Sequence, residues 1–419
     1  MTNSTPHPAR LSHLDVLISG ASVAGPALAF WLTRYGARVT VVEKAPVLRE
    51  GGFAVDFRGE VHRTVLQRMG IWDEVHRHQT DMGRQTVVDV DDKERVDLPA
   101  FLMSGDVEIF RGDLSKILHE RTKDCAEYVF GDSIASLTEH SEGIDVTFEN
   151  GAPRRFDLVV GADGLHSNTR RLVFGDESRY LRHQGYYVAG FPMPNHLGLD
   201  RTARMCCDPG RMMGLSNYGR DPHAGVSLVF KAEPIDYDRH DTAQQKRILA
   251  ERFADLPWKH APAALAALQE ADDLYFDAIA QIHVDRLSQG RVALLGDAGY
   301  GATMGGIGTG TALVAAYVLA GELAAARGDH KAGFAAYEAE IGAYAKGCQK
   351  ISGNAGPFLA PATERKMRSR DRMYRMLSSR FLAGFFKRLT EKAASDLVLK
   401  DYAAYGGYAG DAPSLNRQP

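Results

Sequence analysis

The chain has 419 residues, about 2.8 nominal 150-residue domains, with 44% hydrophobic residues, 25% charged residues and a net charge of −3. That balance fits two or three packed globular units and gives no electrostatic case for nucleic-acid binding. The four cysteines form no CxxC pair, which excludes a disulfide framework and indicates a reducing compartment. Met1–Leu14 lacks the apolar core of a signal peptide. The most membrane-like run, Ala312–Ala326, is short and carries Glu322, so a cytoplasmic protein is expected. The 15 histidines are scattered without ligand spacing, so no metal site is expected. Glycine is the one mild excess, at 42 residues, against an average of roughly 7%.

In chain order, Asp15–Ser19 reads as a short buried strand, Ala24–Tyr35 as a helix stopped by Gly36, and Arg38–Val42 as a second strand ending at Glu43. That is a βαβ unit and predicts a parallel sheet. Val61–Met69 reads as a helix, Asp81–Asp97 as a hairpin and Gly112–Arg121 as a helix. Ile134–Asp145 and Val146–Phe156 read as an antiparallel section, and Asp157–Val160 as another buried strand. From about Tyr180 to Ile282 strand-like runs recur at Gly185–Phe191, Ala203–Cys207, Met212–Asn217 and Gly225–Phe230. A helix is expected near Ala243–Phe253. Arg291–Leu295 returns to the buried-strand pattern, and an Ala-rich helix, Thr311–Arg327, follows. The remainder is helical in composition, with a basic stretch from Glu364 to Lys392.

Gly20-Ala21-Ser22-Val23-Ala24-Gly25 joins the first strand to the first helix and fits GxGxxG with Ser22 at the second glycine. Small residues here serve a tight turn, close approach of a pyrophosphate and close helix–strand packing. The helix N-terminus offers N–H donors to phosphate. Glu43 can accept from a ribose hydroxyl, and an acid there favours FAD or NAD over NADP. Two further segments place an Asp just past a strand's carboxyl end, where open α/β sheets bind ligands. They are Gly161-Ala162-Asp163-Gly164, running on to Arg170, and Gly296-Asp297-Ala298. Either Asp also suits a simple helix or turn cap.

Together, in this order, the three segments resemble the FAD-binding domain of the class A flavoprotein monooxygenases, over roughly residues 15–330. That family includes para-hydroxybenzoate hydroxylase and the compact tetracycline-inactivating monooxygenases. The implied fold is α/β. A Rossmann-like FAD-binding domain with a parallel sheet would draw on 1–75, 105–178 and 285–330. A mainly antiparallel-sheet substrate domain would draw on 76–104 and 179–284, with C-terminal helices in 331–419. The implied FAD-binding residues are Gly20, Ser22, Ala24, Gly25, Glu43, Lys44, Asp56, Arg111, Asp163, Gly296, Asp297, Gly306, Gly308 and Thr309. Among them Glu43 would hold the adenosine ribose, Arg111 would lie near flavin and pyrophosphate, and Asp297 would meet the ribityl chain. Asp163 lies in the segment that the family associates with both FAD and NAD(P)H. The sequence departs from the family between Gly296 and Gly310, which holds seven of the 42 glycines. Tyr300 stands where His is usual, Gly310 stands where Asn is usual, and the loop's proline is missing.

The resemblance implies that NAD(P)H, a transient co-substrate, reduces the flavin, and that O2 then forms a flavin C4a-(hydro)peroxide. This hydroxylates a small aromatic or polycyclic substrate, phenolic or polyketide-like, an antibiotic included. The helix near Gly308–Thr311 would stabilise the reduced flavin with its N-terminal N–H groups. No catalytic side chain is named by the sequence. Tyr186, Tyr187, Tyr218 and His223 could assist phenol deprotonation, although packing or surface roles account for each. Met212 and Met213 suit a pocket or a core equally. The basic C-terminal stretch suits a packed helix with a solvated face better than a membrane surface. A monomer or homodimer without nucleic-acid or membrane partners is expected. A non-oxygenating flavin oxidoreductase and a catalytically idle FAD- or ligand-binding module remain open alternatives.

Overall fold

The βαβ unit opened by Asp15–Ser19 places a parallel sheet at the centre of the molecule. Asp15–Ser19 pairs in parallel with Arg38–Glu43 on one side and with Leu158–Gly161 on the other, in register from Val16↔Leu158 to Ser19↔Gly161. Val292–Leu294 and Glu127–Phe130 extend the sheet in parallel, and Ser288–Gln289 closes one edge antiparallel, giving six strands. This computed structural model describes residues 10–49, 51–98, 105–219, 222–304, 308–353, 355–377 and 397–406.

The alternation of side chains along each strand sorts the sheet's two faces. Val16, Ile18, Val39, Val41 and Val160 pack into the main core with helices Ala24–Arg34 and Gly308–Ala325. Leu17, Val42, Val159 and Val292 face the other way. They pack on Ile134, Ile144, Val146 and Phe156, from a three-stranded antiparallel sheet of Ile134–His140, Gly143–Phe148 and Arg154–Phe156. Helix Gly308–Ala325 is apolar on every side, and Gly310 through Ala324 are buried, as such a helix requires. It is long and apolar enough to cross a membrane, yet it is the core helix of this fold. Its one acid, Glu322, is bonded by Lys400 Nζ at 2.8 Å and by Tyr402 Oη at 2.7 Å.

A second sheet has seven strands, mostly antiparallel, built around the long strand Leu181–Pro194. The expected hairpin forms its edge, with Gln85–Val88 against Glu94–Asp97. Tyr187, Ala189 and Phe191 face helices Thr242–Phe253 and Ala261–Glu270. Tyr186 and Val188 face the opposite layer, packing with Phe358, Leu359 and Tyr374 from helices Ala355–Leu359 and Glu364–Leu377. The overall class is therefore α/β with a parallel sheet, an antiparallel sheet and C-terminal helices.

Several elements were not read from the sequence. Tyr275–Ile282 is a strand pairing with Leu181–Pro194, but its buried Asp277 and Gln281 interrupt the apolar pattern. Helix Ala261–Glu270 carries Pro262 in its first turn, where proline is tolerated. The short strands Ala54–Phe57 and Val107–Phe110 form a separate antiparallel ladder. Of the basic stretch Glu364–Lys392, the helix Glu364–Leu377 buries Met367, Arg370, Asp371, Tyr374 and Leu377; the stretch beyond it up to 396 lies outside the described residues.

Candidate active site

The carboxyl ends of four adjacent parallel strands open on one cleft of about 1160 Å³. Ser19–Ala24 follows the first strand, Glu43 ends the second, and Ala162–Gly164 and Gly296–Asp297 follow the other two. The far wall carries Tyr187, Asp277 and Ala278 of the seven-stranded sheet. Of the residues expected from sequence, Gly20, Ser22, Ala24, Glu43, Lys44, Arg111, Asp163, Gly296, Asp297, Gly308 and Thr309 line this cleft. Gly25 lies behind the turn, Asp56 sits in the antiparallel ladder, and Gly306 lies outside the described residues.

The glycine turn is sterically compelled. Gly20 has φ +109°, and a Cβ there would lie 2.4 Å from the carbonyl oxygen of Ala162. A Cβ on Gly25 would lie 1.9 Å from the carbonyl oxygen of Gly20. No side chain fits either position, so bare backbone is presented to the cleft. The Glu43 carboxylate tightens this turn by accepting from Ala21 N at 2.8 Å and from Ala45 N at 2.9 Å. A carboxylate has about four acceptor positions, so lone pairs remain for ribose hydroxyls.

Asp163 behaves chiefly as an organiser of its own segment. It accepts from Thr169 N and Thr169 Oγ1, both at 2.8 Å, from Ser19 Oγ at 3.3 Å and from Ser167 Oγ. Asp297 instead stands open to the cleft but deep within it. The surrounding protein raises its carboxyl pKa, and Arg111 opposes that rise.

The two unusual residues of the Gly296–Gly310 segment have structural partners. Tyr300 Oη accepts from Gly296 N at 2.9 Å, so it braces the turn that presents Asp297. Gly310 faces the buried imidazole of His62, whose ring atoms lie 2.2–2.6 Å from where a Cβ would be. An Asn there would collide with that ring. His62 Nδ1 accepts from Arg58 N at 3.1 Å and Nε2 meets Tyr344 Oη at 2.9 Å. Burial and the neighbouring Arg58 lower its pKa to about 4, so the ring is neutral.

A polar bracket not foreseen from sequence spans the cleft. His166 contacts Glu177 at 2.9 Å through Nδ1 and Asp277 at 3.1 Å through Nε2. Burial disfavours its charge, but the two carboxylates prevail and raise its pKa to about 9. Arg170, fully buried, anchors Glu177 and the carbonyl oxygens of Leu165 and Ala298. His166 and Arg170 belong to a segment the sequence singled out, but Asp277 gave no signal. Of the four side chains considered for phenol chemistry, only Tyr187 lines the cleft, and its hydroxyl accepts from Ile235 N at 2.7 Å. Tyr186 packs on Gly356, Tyr218 packs edge-on to Phe110, and His223 is exposed. Met212 and Met213 are core residues on opposite faces of their sheet.

The bare glycine turn at one strand end, the Glu43 acceptor and the helix N-terminus at Gly308–Thr309 define a dinucleotide-binding α/β protein. The donor set along the cleft fits FAD. Residues 13–183 match the "FAD binding domain" family. A flavin-dependent monooxygenase from an unknown prokaryotic organism is 38% identical over 339 residues, covering 80% of this chain and 87% of that protein. The uncharacterized protein Rv1260 of Mycobacterium tuberculosis is 42% identical over 353 residues, covering 83% and 94%. The crystal structure of tetracycline destructase Tet(51) superposes with a TM-score of 0.80 at 30% identity, covering 93% of this chain and 99% of that one. The chain belongs to the class A flavoprotein monooxygenases, and its cofactor is FAD.

Proposed function

We propose that the protein hydroxylates a polycyclic, phenol-bearing small molecule of the tetracycline type, with NAD(P)H as reductant and O2 as the oxygen source. The observation that carries this reading is the match to Tet(51) over 93% of the chain, which takes in the seven-stranded sheet and helices beyond the nucleotide-binding region. FAD, when bound, supplies the hydride-accepting and oxygen-activating chemistry.

The chain's own residues bind, orient and enclose. Gly20 lets phosphate approach the backbone, Gly25 lets the helix pack close behind the turn, and Glu43 holds the turn with lone pairs left for ribose. Arg111 supplies positive charge opposite Asp297. The first-turn N–H groups at Gly308 and Thr309 face the cleft and favour negative charge developing there. The His166 bracket ties the segment after Leu158–Gly161 to the far sheet through Asp277, holding the two walls in register around the reacting groups. Tyr187, with its hydroxyl already accepting from backbone, retains its own proton to donate to a substrate oxygen.

The test is turnover of the FAD-loaded protein with NADH or NADPH against tetracyclines and simpler polycyclic phenols, under 18O2. The expected product carries one 18O atom. Flavin-bound protein that oxidises NAD(P)H with none of these substrates, or that yields only unlabelled product, would overturn the substrate reading.

A further inference from the structure

Two acids outside the cleft meet in a way that the cofactor chemistry does not use. In the antiparallel ladder of Ala54–Phe57 and Val107–Phe110, Asp56 stands directly opposite Glu108. Opposed residues share a face, with Cβ atoms roughly 5 Å apart, and like charges so placed repel. Asp56 is only 4% exposed. One cation serves both: Arg58 donates from Nε to Asp56 Oδ2 at 2.9 Å and pairs with the same oxygen through Nη2. The other oxygen, Asp56 Oδ1, is buried and has no hydrogen-bond partner among the described residues. Glu108 accepts from the buried Thr80 hydroxyl through Oε2, which leaves its other oxygen able to carry a proton. An orphaned buried acceptor opposite a carboxyl with one uncommitted oxygen needs a hydrogen between them.

We propose that Asp56 and Glu108 hold a single proton, carried on Glu108 and donated to Asp56 Oδ1, and that this shared proton keeps the ladder closed so that Arg111 stays in place at the cofactor.

The ladder leads directly to the cleft. Phe110 ends one strand and Arg111 follows it; Arg111 N donates to Phe53 O at 3.3 Å, just before the other strand. The Arg111 guanidinium also lies against the backbone of Gly52. With the proton present, the cluster has one negative carboxylate for one arginine. Without it, the buried Asp56 charge and a half-buried Glu108 charge face each other across the strands.

The surrounding groups support this. Burial raises the Glu108 carboxyl to about 7, with Asp56 adding to the rise and Thr80 and Arg58 opposing it. Burial raises Asp56 too, against Arg58. The other groups facing the pair are Asp106, which accepts from Gly59 N, the neutral His62 beyond Arg58, and Tyr218, protonated because burial and Glu108 raise its pKa. None of these three supplies a second positive charge.

The test uses the FAD-bound protein. Infrared difference spectra across neutral pH read the carbonyl stretch of a protonated carboxyl, and flavin fluorescence reads FAD release. In the wild type a protonated-carboxyl band should disappear with a midpoint near neutrality. FAD dissociation should strengthen over the same range, by up to about tenfold per pH unit for one linked proton. Glu108→Gln keeps the donor without its charge, so it should lose the band and flatten the FAD profile. Asp56→Asn removes the opposing charge and should shift the midpoint towards acid. A wild type with no carboxyl titrating near neutrality, or a Glu108→Gln protein retaining the wild-type FAD profile, would overturn the proposal while leaving FAD binding itself intact.

Discussion

Gly310→Ala sets two known effects against each other. Gly310 lies in helix Gly308–Ala325, where Ala is better than Gly by about 0.8–1.0 kcal/mol on propensity alone. Against this, the new Cβ would meet the His62 ring at 2.2–2.6 Å, when carbon contacts are comfortable near ~3.5–4.0 Å. The ring must therefore retreat by roughly 1 Å. It has little room, being 1% exposed and hydrogen-bonded at both nitrogens. Over-packing costs about 1–3 kcal/mol, and stranding a buried hydrogen-bonding group adds about 1–3 kcal/mol. Subtracting the propensity gain leaves a net loss of about 1–5 kcal/mol. Denaturant unfolding of the FAD-bound protein measures it. The decisive comparison is the same substitution in a His62→Ala background, where the obstacle is gone and Gly310→Ala should be neutral or stabilising. An equal cost in both backgrounds, or a Gly310→Ala protein as stable as the wild type, would refute the reasoning.

Glu43→Ala removes two charge-assisted bonds to the glycine turn together with the ribose acceptor. Taking about 1.5–3 kcal/mol for such a loss, FAD affinity should fall roughly 10- to 100-fold, as read by titration of flavin fluorescence. An unchanged dissociation constant would remove Glu43 from the site. The His166 bracket predicts a pH dependence of stability. Its folded pKa, about 9, is raised above the ordinary 6.5. The protonated form therefore stabilises the fold fully below about 6.5, and that contribution is lost as pH rises through about 9. Thermal midpoints should decline over this window, and His166→Gln should remove that part of the decline. A variant that follows the wild-type curve would show that the bracket does not couple protonation to folding.

Much of the nucleotide-binding half was legible in the sequence because its constraints are local. Gly20 needs its positive φ and Gly25 its close approach to the Gly20 carbonyl within a single strand–turn–helix, and Glu43 ends the next strand of the same unit. The positions of Asp163 and Asp297 past strand ends also follow from neighbouring residues. What each carboxylate does there did not. Asp163 proved to be engaged by Ser19 and its own helix start, whereas Asp297 is left open to the cleft. Strand Tyr275–Ile282 was missed because buried Asp277 breaks the apolar run, and it is buried only because His166, 111 positions away, supplies a partner.

The residues of this chain by themselves determined the parallel sheet, the bare phosphate turn and the order of the three nucleotide motifs. Short-range sterics and hydrophobic period dictate those features, and both are written in consecutive residues. Only the tertiary structure decided why Gly310 is glycine, which acids share Arg58 and what neutralises Glu322. Each depends on side chains brought together by packing from distant segments: His62 against Gly310 of the core helix, Glu108 across from Asp56, and Lys400 and Tyr402 from the far end of the chain. Burial turns such encounters into large energies, and no local pattern records which partners burial will select.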